Sequence, residues 1–410
     1  MIPQEKFNFV FVGLQRIFTD RESTATSIAK ELAKSHNVLY VNAPIDRRSY
    51  YLGTSDKFIS EHIARIRSKA NLGLHKAEDN LWVLDPESIL ESINWIPNTT
   101  VFSWLNRINN RRLANEIIAA TAQLGFGDYI LINDKDIFRS FYLKEMLRPV
   151  KYIYLDRDYI VGMDYWKRHG SKLEPLLMKK ADMILCNSYG FQRKALQLNP
   201  RSYYIGNGCD LNRFDYRKPL ELPADLKPLS DRPMIGYVGA LLNFRLDIPL
   251  LVFLAKSRPE WNFVFIGRED NAFQQSELHQ LVNVHFLGQK DAALTPAYLK
   301  HFDVCINPQL LNEITNDNYP LKIDEYLAMG RPVVATSTNV MREVFSSVTY
   351  LATGHDDFLR KIEEALQNGG AEEDARRWVE MAESHSWPAI TKNVLDILRQ
   401  NEEREIKCHA

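Results

Sequence analysis

Short apolar runs alternate with amphipathic stretches along the whole chain, and this alternation limits the fold more than any other feature. The runs FNFVFVG (residues 7–13) and NVLYVNAP (37–44) are rich in β-branched and aromatic residues, and helical spacing at 23–34 separates them. Parallel strands need a long connection, usually a helix, so the pattern predicts parallel α/β sheets. The chain therefore opens with a βαβ unit.

The pattern restarts near residue 233, after a polar, proline-bearing stretch at 217–231. Strands are predicted around residues 128, 151 and 182, and later in PMIGYVG, WNFVFIG, VHFLG, DVCINP and PVVAT. A chain of 410 residues is long enough for two domains with separate cores. We expect two doubly wound, Rossmann-like domains at 1–208 and 209–384, followed by a helical segment at 385–410.

Charge and cysteine usage exclude several classes of protein. Lysine and arginine (51) balance aspartate and glutamate (52), so nucleic acid is not an expected partner. The beginning of the chain lacks a signal-peptide pattern and no stretch is apolar enough to span a membrane, which favours a cytoplasmic protein. Widely spaced cysteines predict buried or incidental thiols and no zinc site; they are Cys186, Cys209, Cys305 and Cys408.

A basic segment at residues 47–76 is less regular than the rest of the first half. Its cations are Arg47, Arg48, Lys57, Arg65, Arg67, Lys69 and Lys76. One interpretation is a solvated helical face; the other is a surface for an anionic membrane or acceptor.

The run NDNYPLKIDEYLAMGRPVVAT (316–336) carries the most chemical information. Pro320 suits the first position of a helix and Gly330 suits its left-handed end, so a helix is predicted over residues 320–329. Lys322 lies in the first turn, where the helix dipole disfavours a cation unless an anion binds there. Glu325, one turn later, could accept the hydroxyls of a ribose, or the two could form only a surface ion pair.

The loop in IGYVGALLNFRLD (235–247) follows a predicted strand. Gly239 would let the backbone approach a phosphate closely, or it could serve only a tight turn. No G-x-G-x-x-G follows a predicted strand and no G-x-x-x-x-G-K-[ST] is present. A dinucleotide-dependent oxidoreductase and a P-loop ATPase are therefore disfavoured.

Residues 317–334 resemble the nucleotide-sugar motif of the retaining glycosyltransferases of family 4, with two carboxylates eight positions apart before a Gly-x-Pro-Val ending. The resemblance implies the GT-B architecture, in which two Rossmann-like domains face a cleft and a C-terminal helix crosses back to the first domain. It assigns Glu325 to the donor ribose and Lys322 to the diphosphate. Asp317 stands where glutamate is usual, near the donor sugar, and Leu321 falls within the same donor site.

The loop at 239–245 also resembles this family, whose members usually carry two cations there on the diphosphate. Ala240 occupies the first of these positions and Arg245 lies near the second, with Gly239 and Asn243 in the same loop. VHFLGQ resembles the strand end that borders the nucleotide base, which assigns Gly288 to the donor site.

Further segments resemble bacterial cell-surface polysaccharide transferases, including the teichuronic acid type. HSWPAI resembles the helix that returns to the first domain. LDRDY stands where related enzymes place a residue close to the donor sugar, which makes Asp156 or Asp158 a candidate. Both could equally be strand-end caps.

The resemblance implies a bacterial hexosyltransferase that moves a sugar from a nucleotide-diphosphate sugar to a saccharide or lipid-linked acceptor, with retention of anomeric configuration. The second half has no Asp-x-Asp pair at a strand end, so neither a divalent metal nor a cofactor besides the donor is expected. Peripheral contact with the inner face of the membrane through the first domain fits such acceptors. The alternative is a catalytically silent nucleotide-sugar binder on the same fold.

Overall fold

The computed structural model describes residues 6–19, 23–68, 73–368 and 372–409, with side chains described as far as residue 403. Lys69 and the side chain of Cys408 lie outside these residues. Two compact units form. Unit 1 comprises Met1–Asn187, Phe191–Ile205 and Thr391–Ala410, and unit 2 comprises Ser188–Gly190 and Gly206–Ile390.

Unit 1 is built on a mainly parallel sheet. Its strands are β1 Asn8–Val12, β2 Asn37–Val41, β3 Leu74–Glu78, β4 Leu81–Leu84, β5 Ile130–Asp134, β6 Lys151–Asp156, β7 Met183–Cys186 and β8 Ser202–Tyr204. Its helices are α1 Thr24–Ala33, α2 Arg47–Leu52, α3 Lys57–Ser68, α4 Thr99–Leu124, α5 Leu143–Leu147, α6 Asp164–Lys180 and α7 Tyr189–Leu196, with a 3-10 turn at Ile160–Gly162. The described strands run in the order β3-β4-β2-β1-β5-β6-β7-β8, and only the β3–β4 pair is antiparallel.

Local sequence explains the first βαβ unit. β1 and β2 are apolar and pair in parallel, from Asn8 with Asn37 to Val12 with Val41. Ser23 caps α1 by accepting from the Thr26 amide, and the Thr26 hydroxyl accepts from the Ser23 amide in return. The predicted βαβ opening is confirmed. β3 and β4 were not predicted, because the edge strand β3 (LHKAE) is too polar to give a strand signal.

Unit 2 is built on a second parallel sheet. Its strands are β9 Met234–Val238, β10 Asn262–Ile266, β11 Val284–Phe286, β12 Val304–Asn307, β13 Val333–Thr336 and β14 Tyr350–Ala352. Its helices are α8 Ile248–Ser257, α9 Asn271–Gln274, α10 Thr295–Lys300, α11 Lys322–Ala328, α12 Asn339–Val344, α13 His355–Asn368 and α14 Glu372–Ser384, with 3-10 turns at Lys227–Leu229, Glu277–Gln280 and Ala292–Leu294.

The strand order of unit 2 is β11-β10-β9-β12-β13-β14 in the described residues, and every pair is parallel. This is the Rossmann order, in which the direction of winding reverses between the first strand (β9) and the fourth (β12). Successive strand residues alternate between two cores. Ile235 and Phe263 belong to one, and Met234 and Val264 to the other.

The predicted helix at 320–329 is shorter in the structure, where α11 spans Lys322–Ala328. Pro320 precedes it, and the Ile323 amide donates to the Pro320 carbonyl at 3.0 Å in a tight turn. Gly330 has the left-handed conformation predicted for it, with φ of 62°. The proline therefore fixes the backbone just before the helix but does not occupy its first position.

The C-terminal helix α15 spans Trp387–His409, and its residues from Thr391 onward group with unit 1. In that unit the Tyr203 hydroxyl donates to Asn401 Oδ1 at 2.8 Å. Among the described residues, no helix is both long enough and apolar enough to cross a membrane.

Candidate functional site

The winding of unit 2 reverses between β9 and β12, and ligands of open α/β sheets bind outside the carboxyl ends of the strands at such a point. Here the loops that follow these two strands are joined through their backbones. The Leu310 amide donates to the Arg245 carbonyl at 2.9 Å, and the Asp247 amide donates to the Pro308 carbonyl at 3.0 Å. This edge of the sheet is therefore the candidate site.

Three glycines follow three neighbouring strands at this edge. Gly239, Gly267 and Gly288 come after β9, β10 and β11, with φ of 144°, 153° and 68°. A Cβ atom on Gly267 would lie 1.9 Å from the Gly239 carbonyl oxygen, so no side chain fits there. The Gly267 amide donates to the Gly288 carbonyl at 3.0 Å. Sequence reasoning selected Gly239 and Gly288 but missed Gly267, whose close backbone contact arises only in the sheet.

Lys322 lies against Gly239. A Cβ atom on Gly239 would come within 3.1 Å of Lys322 Cε and 3.2 Å of Nζ. Lys322 Nζ donates to the Tyr237 hydroxyl at 3.0 Å and lies 4.7 Å from the centre of the Tyr237 ring. The tertiary structure thus fixes the ammonium group beside the backbone of the loop after β9.

Glu325 is half-buried one turn along α11. Burial raises the pKa of this carboxyl to about 7, although Arg213 and Lys322 lower it by their charge. The carboxylate forms no hydrogen bond or ion pair with any residue that the structure describes, Lys322 included. A desolvated acid without a protein partner is typical of a binding or catalytic site.

Arg213 is a member of this site that sequence reasoning missed. Its Nη2 donates to the Ala292 carbonyl, and its guanidinium lies 4.9 Å from the centre of the Phe214 ring. Its Nε is buried with no partner in the described part of the chain. No spacing signal could have found it, because it lies far from the 316–336 motif in sequence and its charge acts on Glu325 only in the fold.

Asp324 anchors α11 to the surrounding structure through its buried carboxylate. Its fully buried carboxylate accepts from the Tyr319 hydroxyl at 2.9 Å and pairs with His385 Nδ1 at 2.8 Å. Burial raises the pKa of Asp324, and the hydrogen bond from His385 opposes this. The His385 carbonyl also accepts from the Cys209 amide at 2.9 Å. Asp324 is therefore a positioning residue for its neighbour Glu325.

Several polar atoms around the loops after β9 and β12 are buried without a hydrogen-bond partner among the described residues. They are both amide atoms of Asn307, Gln309 Oε1, Asn318 Oδ1 and Arg245 Nε. Unpartnered buried polar groups are rare in native proteins, and a bound ligand is one explanation for such a cluster. Asn307 and Gln309, at the end of β12, were not selected from the sequence.

The other candidates of unit 2 are placed as follows. Asp317 Oδ1 accepts from Asn339 Nδ2 at 2.8 Å and lies where a Cβ atom on Gly190 would approach it to 2.2 Å. Asn243 is exposed, and its amide donates to Asp270 Oδ2 at 2.7 Å. Leu321 occupies the N-cap position of α11, and its side chain makes no capping hydrogen bond. Arg245 forms no hydrogen bond or ion pair with Glu325 in the described chain.

Asp156 lies in unit 1 and is 1% exposed. Its carboxylate is paired with Lys135, whose Nζ also lies 2.7 Å from Glu174 Oε1. Burial raises the pKa of Asp156 to about 6, against the charge of Lys135. Asp158 pairs with Arg157 at 2.9 Å. The Asp156 carboxylate is thus buried in a charged pair with Lys135, and its role near the donor sugar stays a prediction.

The two Asp-x-Asp pairs of unit 1 are engaged by cations. Arg157 holds Asp134 through two hydrogen bonds of 2.6 and 2.9 Å, and Arg139 Nε lies 2.6 Å from Asp136 Oδ2. Within the described residues no group of three or more His, Cys, Asp and Glu side chains is arranged to hold a metal ion.

Comparisons with known proteins give a family match within unit 2. Residues 232–368 match the family model described as Glycosyl transferases group 1. TuaH of Bacillus subtilis (strain 168), which bears the name of a teichuronic acid biosynthesis glycosyltransferase, is 27% identical over 233 residues, which cover 53% of this chain and 57% of TuaH. The match thus spans a little over half the length of that relative.

Solved structures match over a greater length. Sucrose-phosphate synthase from Thermosynechococcus elongatus is 16% identical, with 97% of this chain and 100% of that chain covered and a TM-score of 0.65. HepE of Anabaena, solved in complex with UDP and glucose, is 15% identical, with coverages of 96% and 100% and a TM-score of 0.64. The predicted fold class is confirmed: the chain has the GT-B fold of these structures, built on two largely parallel α/β sheets.

Proposed function

We propose that this protein is a glycosyltransferase that binds a nucleotide-diphosphate sugar in unit 2 and transfers the sugar to a separate acceptor. The observation that carries the proposal is the placement of Lys322 beside Gly239, with the unpartnered Glu325 one turn away on α11. Both residues lie within the segment that matches the glycosyltransferase family model.

The donor would be held by charge and by hydrogen bonds. Lys322 Nζ, already fixed by Tyr237, offsets the charge of the diphosphate, and Glu325 accepts the hydroxyl groups of the ribose. Arg213 and Arg245 each carry a buried Nε without a protein partner in the described structure, which makes them candidates for the remaining phosphate contacts.

Breaking the bond between sugar and diphosphate leaves negative charge on the phosphate, and preorganised cations stabilise that charge as it develops. We propose that Lys322 and the two arginines do this without a divalent metal. An activity that excess chelator abolishes and magnesium or manganese restores would contradict this part of the proposal.

Retention of the anomeric configuration is part of the same proposal and rests on the resemblance to family 4. Departure of the diphosphate and attack of the acceptor on the same face require a charge clamp but no buried nucleophile. A double displacement would require a carboxylate close behind the anomeric carbon, and Asp156 is engaged by Lys135. Product NMR distinguishes the outcomes, since an α-linked donor should give an α-linked product.

We propose a hexose donor and a saccharide or lipid-linked saccharide acceptor of bacterial cell-surface polysaccharide synthesis, at the cytoplasmic face of the membrane. The name of TuaH supports this setting. The test is a transfer and hydrolysis assay with UDP-, GDP- and ADP-sugars, in which wild-type protein should release nucleotide diphosphate and the Lys322→Met variant should not.

A catalytically silent nucleotide-sugar binder is the second candidate, and Ala240 favours it because a cation is usual at that position. The same assay separates the two candidates. Donor binding without release of nucleotide diphosphate, with every acceptor offered, would identify a binding protein.

A further inference from the structure

A cavity of about 820 Å³ opens in unit 1. Its walls come from the segments that follow β2, β4, β5 and β6, including Pro44, Leu90, Phe138 and Tyr165. These strands run in one direction, so the cavity lies at the carboxyl edge of the sheet, where α/β proteins bind ligands. Its volume falls in the range of about 300–1,000 Å³ that is typical of ligand sites.

Large aromatic side chains line this cavity without being buried. Trp95 is 72% exposed and Tyr165 is 60% exposed, while Trp166 packs on Phe138 with ring centres 4.8 Å apart. Exposed aromatic surface on a cavity wall marks a binding site. The flat rings suit the C–H faces of a sugar, which pack against aromatic side chains.

Asn94 supplies a polar group in the same wall. Its Nδ2 donates to the Tyr165 carbonyl, and its Oδ1 is buried with no partner among the described residues. An unpartnered amide oxygen beside exposed rings can accept a hydrogen bond from a sugar hydroxyl, which would remove the penalty of leaving it unpaired.

Two arginines of the lining are available to a ligand. Arg48, on α2, is exposed, and its guanidinium makes no hydrogen bond or ion pair with any described residue. Arg168 donates one hydrogen bond, from Nη1 to the Trp95 carbonyl at 2.8 Å, and has no carboxylate partner in the described structure. Guanidinium groups bind carboxylates and phosphates through paired hydrogen bonds.

The other ionised groups of the lining are mostly committed. Glu91 is paired with Arg47 at 2.6 Å and with Arg112 at 3.0 Å. Asp46 accepts from the hydroxyls of Ser49 and Ser92, each at 2.7 Å.

Arg139 is paired with Asp136 at 2.6 Å, and Asp164 is an exposed carboxylate in the first turn of α6. Serine hydroxyls leave the charge of Asp46 in place, so the cations of the lining balance its carboxylates in number. Arg48 and Arg168 are the two cations of the lining that have no carboxylate partner among the described residues.

We infer that this cavity binds a saccharide that carries an anionic group, a carboxylate or a phosphate, and that this saccharide is the acceptor of the transfer. The sugar ring packs against Trp95 and Tyr165, and the anionic group pairs with Arg48 and Arg168. The inference rests on the proposed function, since it names the acceptor class of the same reaction.

The experiment is a calorimetric titration of the full chain with glucose, glucuronic acid and glucose 1-phosphate. At least one anionic sugar should bind about tenfold more tightly than glucose, because a charge-assisted pair is added. The anionic sugar that gains affinity identifies the group as a carboxylate or a phosphate. Trp95→Ala should lose the binding, which locates the sugar in this cavity.

Arg48→Gln together with Arg168→Gln should abolish the preference for the anionic sugar, and Arg111→Gln, an exposed arginine on α4 outside the cavity, should keep it. Equal binding of the three sugars, no binding of any, or a preference that survives both substitutions would overturn the inference. Nucleotide-diphosphate binding, measured on the same proteins, tests the proposed function separately. Wild-type protein that binds the nucleotide but shows no preference for an anionic sugar refutes only the inference. Protein that prefers the anionic sugar but binds no nucleotide refutes the proposed function, and the cavity is then an anionic-sugar site but not an acceptor site.

Discussion

Replacing Glu325 by glutamine should make the ligand-free protein more stable at neutral and alkaline pH. Burial raises the pKa of this carboxyl from 4.5 to about 7, so the folded state holds its proton more tightly than the unfolded state does. A shift of one pKa unit corresponds to about 1.4 kcal/mol. Above pH 7 the ionised carboxylate therefore lowers the free energy of unfolding by about 3 kcal/mol.

The sign of this effect follows from proton linkage. Between pH 4.5 and about 7 the folded state binds more protons than the unfolded state, so the free energy of unfolding falls as the pH rises. The penalty is about 1 kcal/mol at pH 5 and about 3 kcal/mol at pH 8. Glu325→Gln removes it, and the melting temperature should rise by about 6–10 °C at pH 8 and much less at pH 5.

The same substitution should weaken nucleotide-diphosphate binding by about 2 kcal/mol, roughly thirtyfold, because charge-assisted hydrogen bonds to the ribose are lost. Thermal denaturation at the two pH values and calorimetric titration measure the two effects. The control is Glu313→Gln, since Glu313 is an exposed carboxylate just before the motif. A variant that is less stable than wild type at pH 8, or that binds nucleotide with unchanged affinity, would refute the reasoning.

Three further substitutions test other parts of the site. Lys322→Met should weaken nucleotide-diphosphate binding by about 2 kcal/mol in a calorimetric titration and leave nucleoside binding unchanged. The control is Lys227→Met, since Lys227 is exposed. Equal losses of affinity for both ligands would exclude a phosphate role for Lys322. Gly267→Ala should destabilise unit 2 by about 3 kcal/mol in thermal denaturation. Gly288→Ala should cost about 1 kcal/mol, because Gly288 has open space around it. Similar losses of stability for the two variants would refute the backbone contact at Gly267. His385→Ala should cost about 3 kcal/mol because it leaves the buried Asp324 carboxylate without its hydrogen bond to His385 Nδ1. The double variant with Asp324→Leu should recover part of that loss in denaturant unfolding; an additive double variant would show that the pair is not coupled.

Much of the fold follows from the sequence, since it depends on local patterns. The apolar runs that became β1, β2, β9 and β10 are buried on both faces of a sheet, and such strands are continuously hydrophobic. The short strands β4, β8 and β14 and the polar edge strand β3 carry no comparable signal and were missed.

In the donor motif, too, local sequence predicted some features and missed others. Lys322 and Glu325 could be selected because helical spacing puts them one turn apart on α11. The sequence overestimated the length of α11 by including Pro320 and Leu321 before its start and Met329 after its end, because both ends depend on the local backbone conformation.

Tertiary structure alone decided which groups surround that motif. Arg213 and Asn307 reach the site from distant parts of the chain, and Asp324 faces a histidine that follows α14. The sequence left Asp156 open as a sugar contact or a strand-end cap, and only the fold shows that Lys135 pairs with it. Spacing along a chain determines which residues share an element, whereas burial and the pairing of charges depend on which elements pack together.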